Sequence, residues 1–150
     1  MDSIIIDVRG EPVGKAAKVG TGKHTHLPKK TRNWMDTVSS QAQLVAPPIP
    51  LDCPIRVEIV ARFSIPKSAS KWWKEAALAG VIRPTKKPDY DNIEKGIGDA
   101  LSGVIWRDDA LVVSGRCEKV YSETPGVRIT ITPLSEPLSA ADWAWTRGDK

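Results

Sequence analysis

Residues 55–65 read Ile-Arg-Val-Glu-Ile-Val-Ala-Arg-Phe-Ser-Ile. Ile55, Val57, Ile59, Ala61, Phe63 and Ile65 alternate with Arg56, Glu58, Arg62 and Ser64. Successive side chains of a strand point to opposite faces. The stretch therefore predicts a half-buried strand, apolar on one side and charged on the other. An apolar sheet face needs a second layer to cover it, and the flanking segments supply one.

Toward the N-terminus, Ala46-Pro47-Pro48-Ile49-Pro50 cannot be helical, because proline lacks the amide and clashes with the preceding turn. The run ends a helix predicted over Thr31–Val45, with Trp34, Val38, Gln41 and Val45 at helical spacing. Gly10–Pro28 is rich in Gly, Lys and small residues without apolar period and reads as a long functional loop. Met1–Val8 reads as a strand with Ile4, Ile6 and Val8 on one face.

Toward the C-terminus, Ser68–Ala79 reads as a helix capped by Ser68 or Ser70 and stopped by Gly80. Asp91–Leu101 reads as another, with Ile93, Ile97, Ala100 and Leu101 as its apolar stripe. Gly96 and Gly98 each cost that helix about 1 kcal/mol relative to Ala, so packing must hold it. Leu111–Tyr121 and Val127–Thr132 read as strands joined across Ser122–Gly126. The order β-α-β-α-α-β-β predicts an α+β fold, a single mixed or antiparallel sheet of about four strands carrying two to three helices. Residues 1–132 are expected to form one domain, with 133–150 as a tail or arm.

The 150 residues suffice for a core without disulfide or metal staples. No apolar run approaches the about 18–20 residues of a spanning helix. Asp2 and Asp7 interrupt the first short apolar stretch, so no secretory leader is expected. Cys53 and Cys117 lie far apart, which suits a reducing, cytoplasmic compartment. The formal net charge of +4 conceals a division. Pro12–Met35 holds six basic residues, Lys15, Lys18, Lys23, Lys29, Lys30 and Arg32, and no acidic one. Ile55–Lys87 holds eight, Lys86 and Lys87 among them, against Glu58 and Glu75. Asp89–Asp109 reverses the balance, with six acids against Lys95 and Arg107.

That acidic segment carries the chemistry. Pro88 biases Lys87 toward an extended conformation, and Asp89 and Asp91 then project to one side. Asp91 or Asn92 is expected to cap the helix, the reading that any Asp at a helix start invites. A second pair, Asp108 and Asp109, lies between the helix end near Gly103 and the strand start at Leu111. A turn at Ser102-Gly103 would bring both pairs to one end of the sheet, three or four carboxylates within a few ångströms. Like charges that close need a cation, and oxygen ligands favour Mg²⁺ or Mn²⁺. Lys95, four residues after Asp91, either pairs with it along the helix or sits beside a phosphoryl oxygen. Arg107 is expected to pair with Asp108 or Asp99.

The segment KPDYDNIEKGIGDALSGVIWRDDALVV (87–113) resembles the RusA-type Holliday-junction resolvases, crossover-junction endodeoxyribonucleases common in phages and prophages. KVYSETPGVRITI (119–131) extends the resemblance into the phage branch, and IIIDVRGEPVGKA (4–16) is compatible with it. The resemblance implies catalytic, metal-holding aspartates at Asp89, Asp91 and Asp109, with Asp108 as close neighbour, and a functional lysine at Lys95. It implies a homodimer that binds four-way junction DNA and cuts two opposed strands symmetrically with Mg²⁺ or Mn²⁺, in recombination and repair. Two ions per site would activate a water and stabilise the departing 3′-oxygen. Lys15, Lys18, Lys23, Lys29, Lys30, Lys86 and Lys87 would bind backbone phosphates without base specificity. Ser68–Thr85, with Trp72 and Trp73, is longer than in the shortest family members.

Weaker signals compete. His24, His26, Cys53 and Cys117 lack the spacing of a zinc site. Trp34 and Trp106 are expected in the core, whereas Trp72 and Trp73 cannot both point inward, so one faces DNA or a partner copy. A non-catalytic nucleic-acid-binding module would account for the lysines but not for two aspartate pairs. A nucleotide-sugar transferase also uses Asp-x-Asp but needs a larger nucleotide-binding domain.

Overall fold

Strand β2 (Ile55–Ser64) forms where the alternation is strictest, and it occupies an interior position in the sheet. The computed structural model describes residues 2–134. Around β2 stand β1 (Ile4–Arg9), β3 (Val112–Ser122) and β4 (Gly126–Pro133), in the order β1-β4-β2-β3. The β1/β4 and β4/β2 pairs are antiparallel and β2/β3 is parallel, so the sheet is mixed. The three helices are α1 (Lys29–Gln43), α2 (Lys71–Leu78) and α3 (Tyr90–Leu101). The architecture is α+β, as the element order predicts.

The connections follow from the pairings. Parallel neighbours require a long crossover, and α2 and α3 lie within the one that joins β2 to β3. β3 and β4 are consecutive but do not pair, because β2 stands between them. The short link through Pro125 therefore spans two strand spacings, roughly 9–10 Å, within reach of its extended chain. The turn signal at Pro125-Gly126 marks this hop over a strand.

Ile55, Val57, Ile59, Ala61 and Phe63 of β2 are buried, with Ile6 and Val8 of β1 and Val127, Ile129 and Ile131 of β4. Trp34, Val38 and Ala42 of α1, and Ile93, Ile97, Ala100 and Leu101 of α3, belong to the same core. The α1 stripe runs through Thr31, Trp34, Val38 and Ala42, whereas Gln41 and Val45 are exposed. The expected stripe is displaced there because α1 ends at Gln43, so Val45 lies past its last turn. Helix α2 ends in a Schellman arrangement: the Gly80 amide donates to the Ala77 carbonyl and the Val81 amide to the Ala76 carbonyl. Gly80 takes the left-handed conformation this requires, at φ 81°. β4 runs to Pro133, and the Leu134 amide donates to the Pro54 carbonyl. The remainder of the expected tail lies outside the described residues.

The opposite sheet face is polar. Arg62 Nη2 donates to Asp7 Oδ1 at 2.8 Å, and Arg128 Nε donates to Asp7 Oδ2 at 3.2 Å. Three strands are thereby linked through one carboxylate. Burial pushes the Asp7 carboxyl upward, but the hydrogen bonds and charges of Arg62 and Arg128 outweigh it and hold the group below its ordinary value. A depressed folded-state value contributes stability above the unfolded carboxylate range, and loses it as pH falls through the folded value. Asp7→Asn should therefore cost about 1 kcal/mol at neutral pH, the scale of a partly exposed ion-pair network. Urea unfolding of both proteins across pH should show the difference disappearing at strongly acidic pH.

Candidate active site

Helix α3 organises the site, and it begins earlier than the sequence suggests. Asp89 is the N-cap residue, with extended backbone at φ −69° and ψ 150°, and the Ile93 amide donates to its carbonyl at 3.1 Å. The helix thus extends back past Asp91, and the cap expected at Asp91 or Asn92 falls on Asp89 instead. Capping aspartates ordinarily accept from the second or third helical amide. The Asp89 side chain makes no such bond, which leaves both its oxygens outside the helix's own network. Asp91 lies in the first turn, where the helix dipole favours its charge.

Lys95 Nζ stands 3.9 Å from Asp91 Oδ2, one turn along the same face. Both side chains are more than half exposed, at 65% and 53%, so the pair adds little to stability. It does hold an ammonium beside a carboxylate at the open end of α3.

The basic loop is laid against this helix. The Lys15 amide donates to the Asn92 carbonyl at 2.8 Å, and the Lys15 ammonium pairs with Asp99. A Cβ at Gly14 would stand 2.7 Å from Pro88 Cβ and 3.1 Å from Asn92 Cβ, so the loop backbone approaches the helix start as only glycine allows. At Gly96 the missing side chain faces the Lys15 backbone, 3.6 Å from its nitrogen. The loop backbone thus fills the space beside the helix-weakening glycine.

Loop and helix together form an open groove of about 920 Å³, into which Lys15, Lys18, Lys30, Lys87, Lys95 and Asp89 face. Of the seven lysines expected to meet DNA, Lys15, Lys18, Lys30 and Lys87 line it. Lys23 lies in the 3-10 turn at Gly22–His24, beyond the Val19–His26 bridge that closes the loop into an arm. Lys29 lines a different depression, with Arg32 and Asp36. The Lys86 carbonyl accepts a hydrogen bond from the Lys119 ammonium at 2.5 Å, which ties the approach to α3 onto β3. Lys119 carries no sequence signal for this, since its partner is a backbone carbonyl across the crossover.

The second acidic pair divides its work. Asp108 Oδ1 accepts from the Ala110 amide at 3.0 Å and caps the one-turn 3-10 helix Asp109–Leu111. Asp109 Oδ1 accepts from Trp106 Nε1 at 2.9 Å. A Cβ at Gly98 would stand 4.0 Å from that same oxygen. Glu94, Gly98, Trp106 and Asp109 border a small cavity of about 160 Å³ with the apolar floor Val57, Ile59 and Ile97. The Cys117 thiol of β3 is pushed up to about 12, first by burial and then by the charge of Glu94.

The carboxylates are therefore strung along one face of α3, not gathered at its end. Positions 91, 94 or 95, and 98 share that face, and seven residues of helix rise roughly 10 Å. Asp109 abuts the Gly98 end and Asp91 stands at the other. Among the described residues, no three His, Cys, Asp or Glu side chains are grouped closely enough to hold an ion. The expected convergence within a few ångströms is thus replaced by a row, because the chain returns alongside the C-terminal half of α3. The donor chemistry nevertheless fits a hard divalent ion: Asp89, Asp91 and Asp109 offer only oxygen, and Asp89 has no side-chain cap bond. Enclosing an ion calls for rotation of exposed side chains.

Other expectations resolve individually. Arg107 pairs with Asp52 at 2.9 Å, not with Asp108 or Asp99, because Asp99 is taken by Lys15 and Asp108 by the turn it caps. Trp34 and Trp106 are buried, as expected. Trp73 packs edge-on against Tyr121 with ring centroids 5.1 Å apart, and Trp72 is 68% exposed. Trp143 and Trp145 lie outside the described residues.

Comparison with known proteins identifies relatives of this chain. The chain is similar to the uncharacterized protein YqaN of Bacillus subtilis (strain 168), 38% identical over 141 residues, which cover 90% of this chain and 99% of that one. The family described as endodeoxyribonuclease RusA matches residues 9–132, from the end of β1 through most of β4. With Asp89, Asp91 and Lys95 on the opening turns of α3 and Asp109 beside Gly98, this chain belongs to the RusA endodeoxyribonuclease family.

Proposed function

We propose that this protein resolves four-way DNA junctions by divalent-cation-dependent hydrolysis, cutting two opposed strands as a homodimer during recombination and repair. We place it in the cytoplasm of a bacterial host, with a phage or prophage origin. The observation that carries the reading is the placement of Asp89 and Lys95 in a lysine-lined groove, in a chain of an endodeoxyribonuclease family. No helix among the described residues is long and apolar enough to cross a membrane, in keeping with a DNA-directed role.

In this reading Asp89, Asp91 and Asp109 would hold Mg²⁺ or Mn²⁺. Ions held by these residues would supply an activated water and offset charge on the scissile phosphate. Lys95 brings its ammonium to the phosphoryl oxygens, where negative charge grows in the transition state. Lys18, Lys30 and Lys87 track the backbone of the same strand. The Lys15–Asp99 pair and the Lys15–Asn92 hydrogen bond keep that basic loop in register with α3, so phosphate binding and carboxylates share one frame. An isologous dimer presents two such sites to a symmetric junction.

A gel assay comparing a mobile four-way junction, a linear duplex and a nucleotide sugar, in EDTA and in Mg²⁺, tests the reading. Junction binding in EDTA should be followed by paired symmetric nicks once metal is added. Asp91→Asn should bind the junction normally and cleave it at least about 100-fold more slowly. Junction binding without cleavage in Mg²⁺ or Mn²⁺ would indicate a binding module, and turnover of the nucleotide sugar a transferase.

Replacing Lys18, Lys30 and Lys87 together by Ala should weaken binding to all junction sequences alike. The slope of log affinity against log salt should fall by about 2–3, close to one unit for each phosphate left without its lysine. Filter-binding titrations at several salt concentrations measure this, and a weakening confined to particular sequences would contradict it.

A further inference from the structure

We infer that Trp106 is a positioning residue for the reaction, its indole N–H fixing one oxygen of Asp109 so that the other faces the substrate. The inference rests on the endonuclease reading above, and goes beyond it by giving a buried core side chain a part in the chemistry.

Trp106 is 1% exposed and is the largest fully buried side chain among the described residues. A buried indole N–H needs an acceptor, and this one has taken an exposed carboxylate at 2.9 Å. Burial alone does not dictate that choice. Trp34 is buried as well, and its Nε1 has no hydrogen-bond partner among the described residues. The platform beneath Trp106 is rigid: the Leu51 amide donates to the Ile105 carbonyl at 2.8 Å and the Arg107 amide to the Leu51 carbonyl at 2.9 Å. Trp106 is thus stitched on both sides to the segment leading into β2.

Asp109 is restrained from one further direction. The Asp108 carboxylate, by capping Ala110, holds the single turn on which Asp109 rides. Gly98 lies beside Asp109, where a Cβ would stand 4.0 Å from Oδ1, at ordinary van der Waals distance. A charge-assisted hydrogen bond from the core therefore fixes Oδ1, and Oδ2 is the oxygen left to act. Such a carboxylate meets its target without searching rotamers, and loss of that order lowers rate more than affinity.

The decisive variant replaces Trp106 with 3-benzothienylalanine, which keeps the ring shape and exchanges the N–H for sulfur; Trp106→Phe serves as a second. Junction affinity in EDTA should stay within about twofold of wild type, while the single-turnover cleavage rate falls about tenfold or more. In the unsubstituted protein, the Trp106 indole N–H resonance should move on Mg²⁺ addition and on Asp109→Asn. A benzothienyl variant that cleaves within twofold of wild type, or one that loses affinity and rate together, would overturn the inference. An indole resonance indifferent to Asp109→Asn would overturn it too. If the unsubstituted protein cleaves no junction, the endonuclease reading fails instead, and the two failures are distinguishable.

Discussion

Burial of Ile93, Ile97 and Leu101 within the core that includes the Ile55–Phe63 face of β2 is the constraint on which the rest depends. Helix α3 contains two glycines in twelve residues and would be marginal alone. Its hold comes from that stripe and from the loop backbone at Lys15. Once α3 is docked, everything chemical is positioned by its surface. Asp89 and Asp91 stand at its start, Lys95 one turn on from Asp91, and Gly98 lies beside Asp109. The glycines that weaken the helix are the places where loop and carboxylate come close.

Charge follows the same organisation. The net +4 is the small difference between a basic loop-and-crossover surface and an acidic α3 region. The two are interlocked, since Lys15 of the basic loop reaches Asp99 of α3. Cations bound to the carboxylates of α3 would make that face more basic than the net charge suggests. The polar sheet face is separate, with Asp7 held between Arg62 and Arg128.

Local signals made much of the fold legible. Alternation over 55–64 has a period that only a strand satisfies, and the proline run after Val45 excludes helix outright. Prolines and glycines placed the turns, including the Gly80 stop of α2. The candidate site residues were legible only as a motif, since Asp89, Asp91, Lys95 and Asp109 lie in one contiguous stretch. Their mutual geometry was not. Whether Asp109 returns to the start of α3 or to its middle depends on the turn at Ser102-Gly103, and sequence does not encode that angle. Partner choice was equally hidden: Arg107 finds Asp52 and Lys15 finds Asp99 through long-range packing. The Trp106–Asp109 bond spans only three residues, yet nothing in the residue types distinguishes it from ordinary core burial.

A row of carboxylates along α3 that serves a metal-dependent cut in junction DNA must bind its ions there. A crystal structure of the protein soaked in Mn²⁺, with anomalous scattering to locate the ions, would reveal this without any assay of cleavage. Manganese peaks should appear bounded by Asp89, Asp91 and Asp109, with the exposed Asp89 and Asp91 side chains rotated to meet them. Ions bound elsewhere, or no anomalous density beside α3 at saturating Mn²⁺, would contradict the metal-dependent reading.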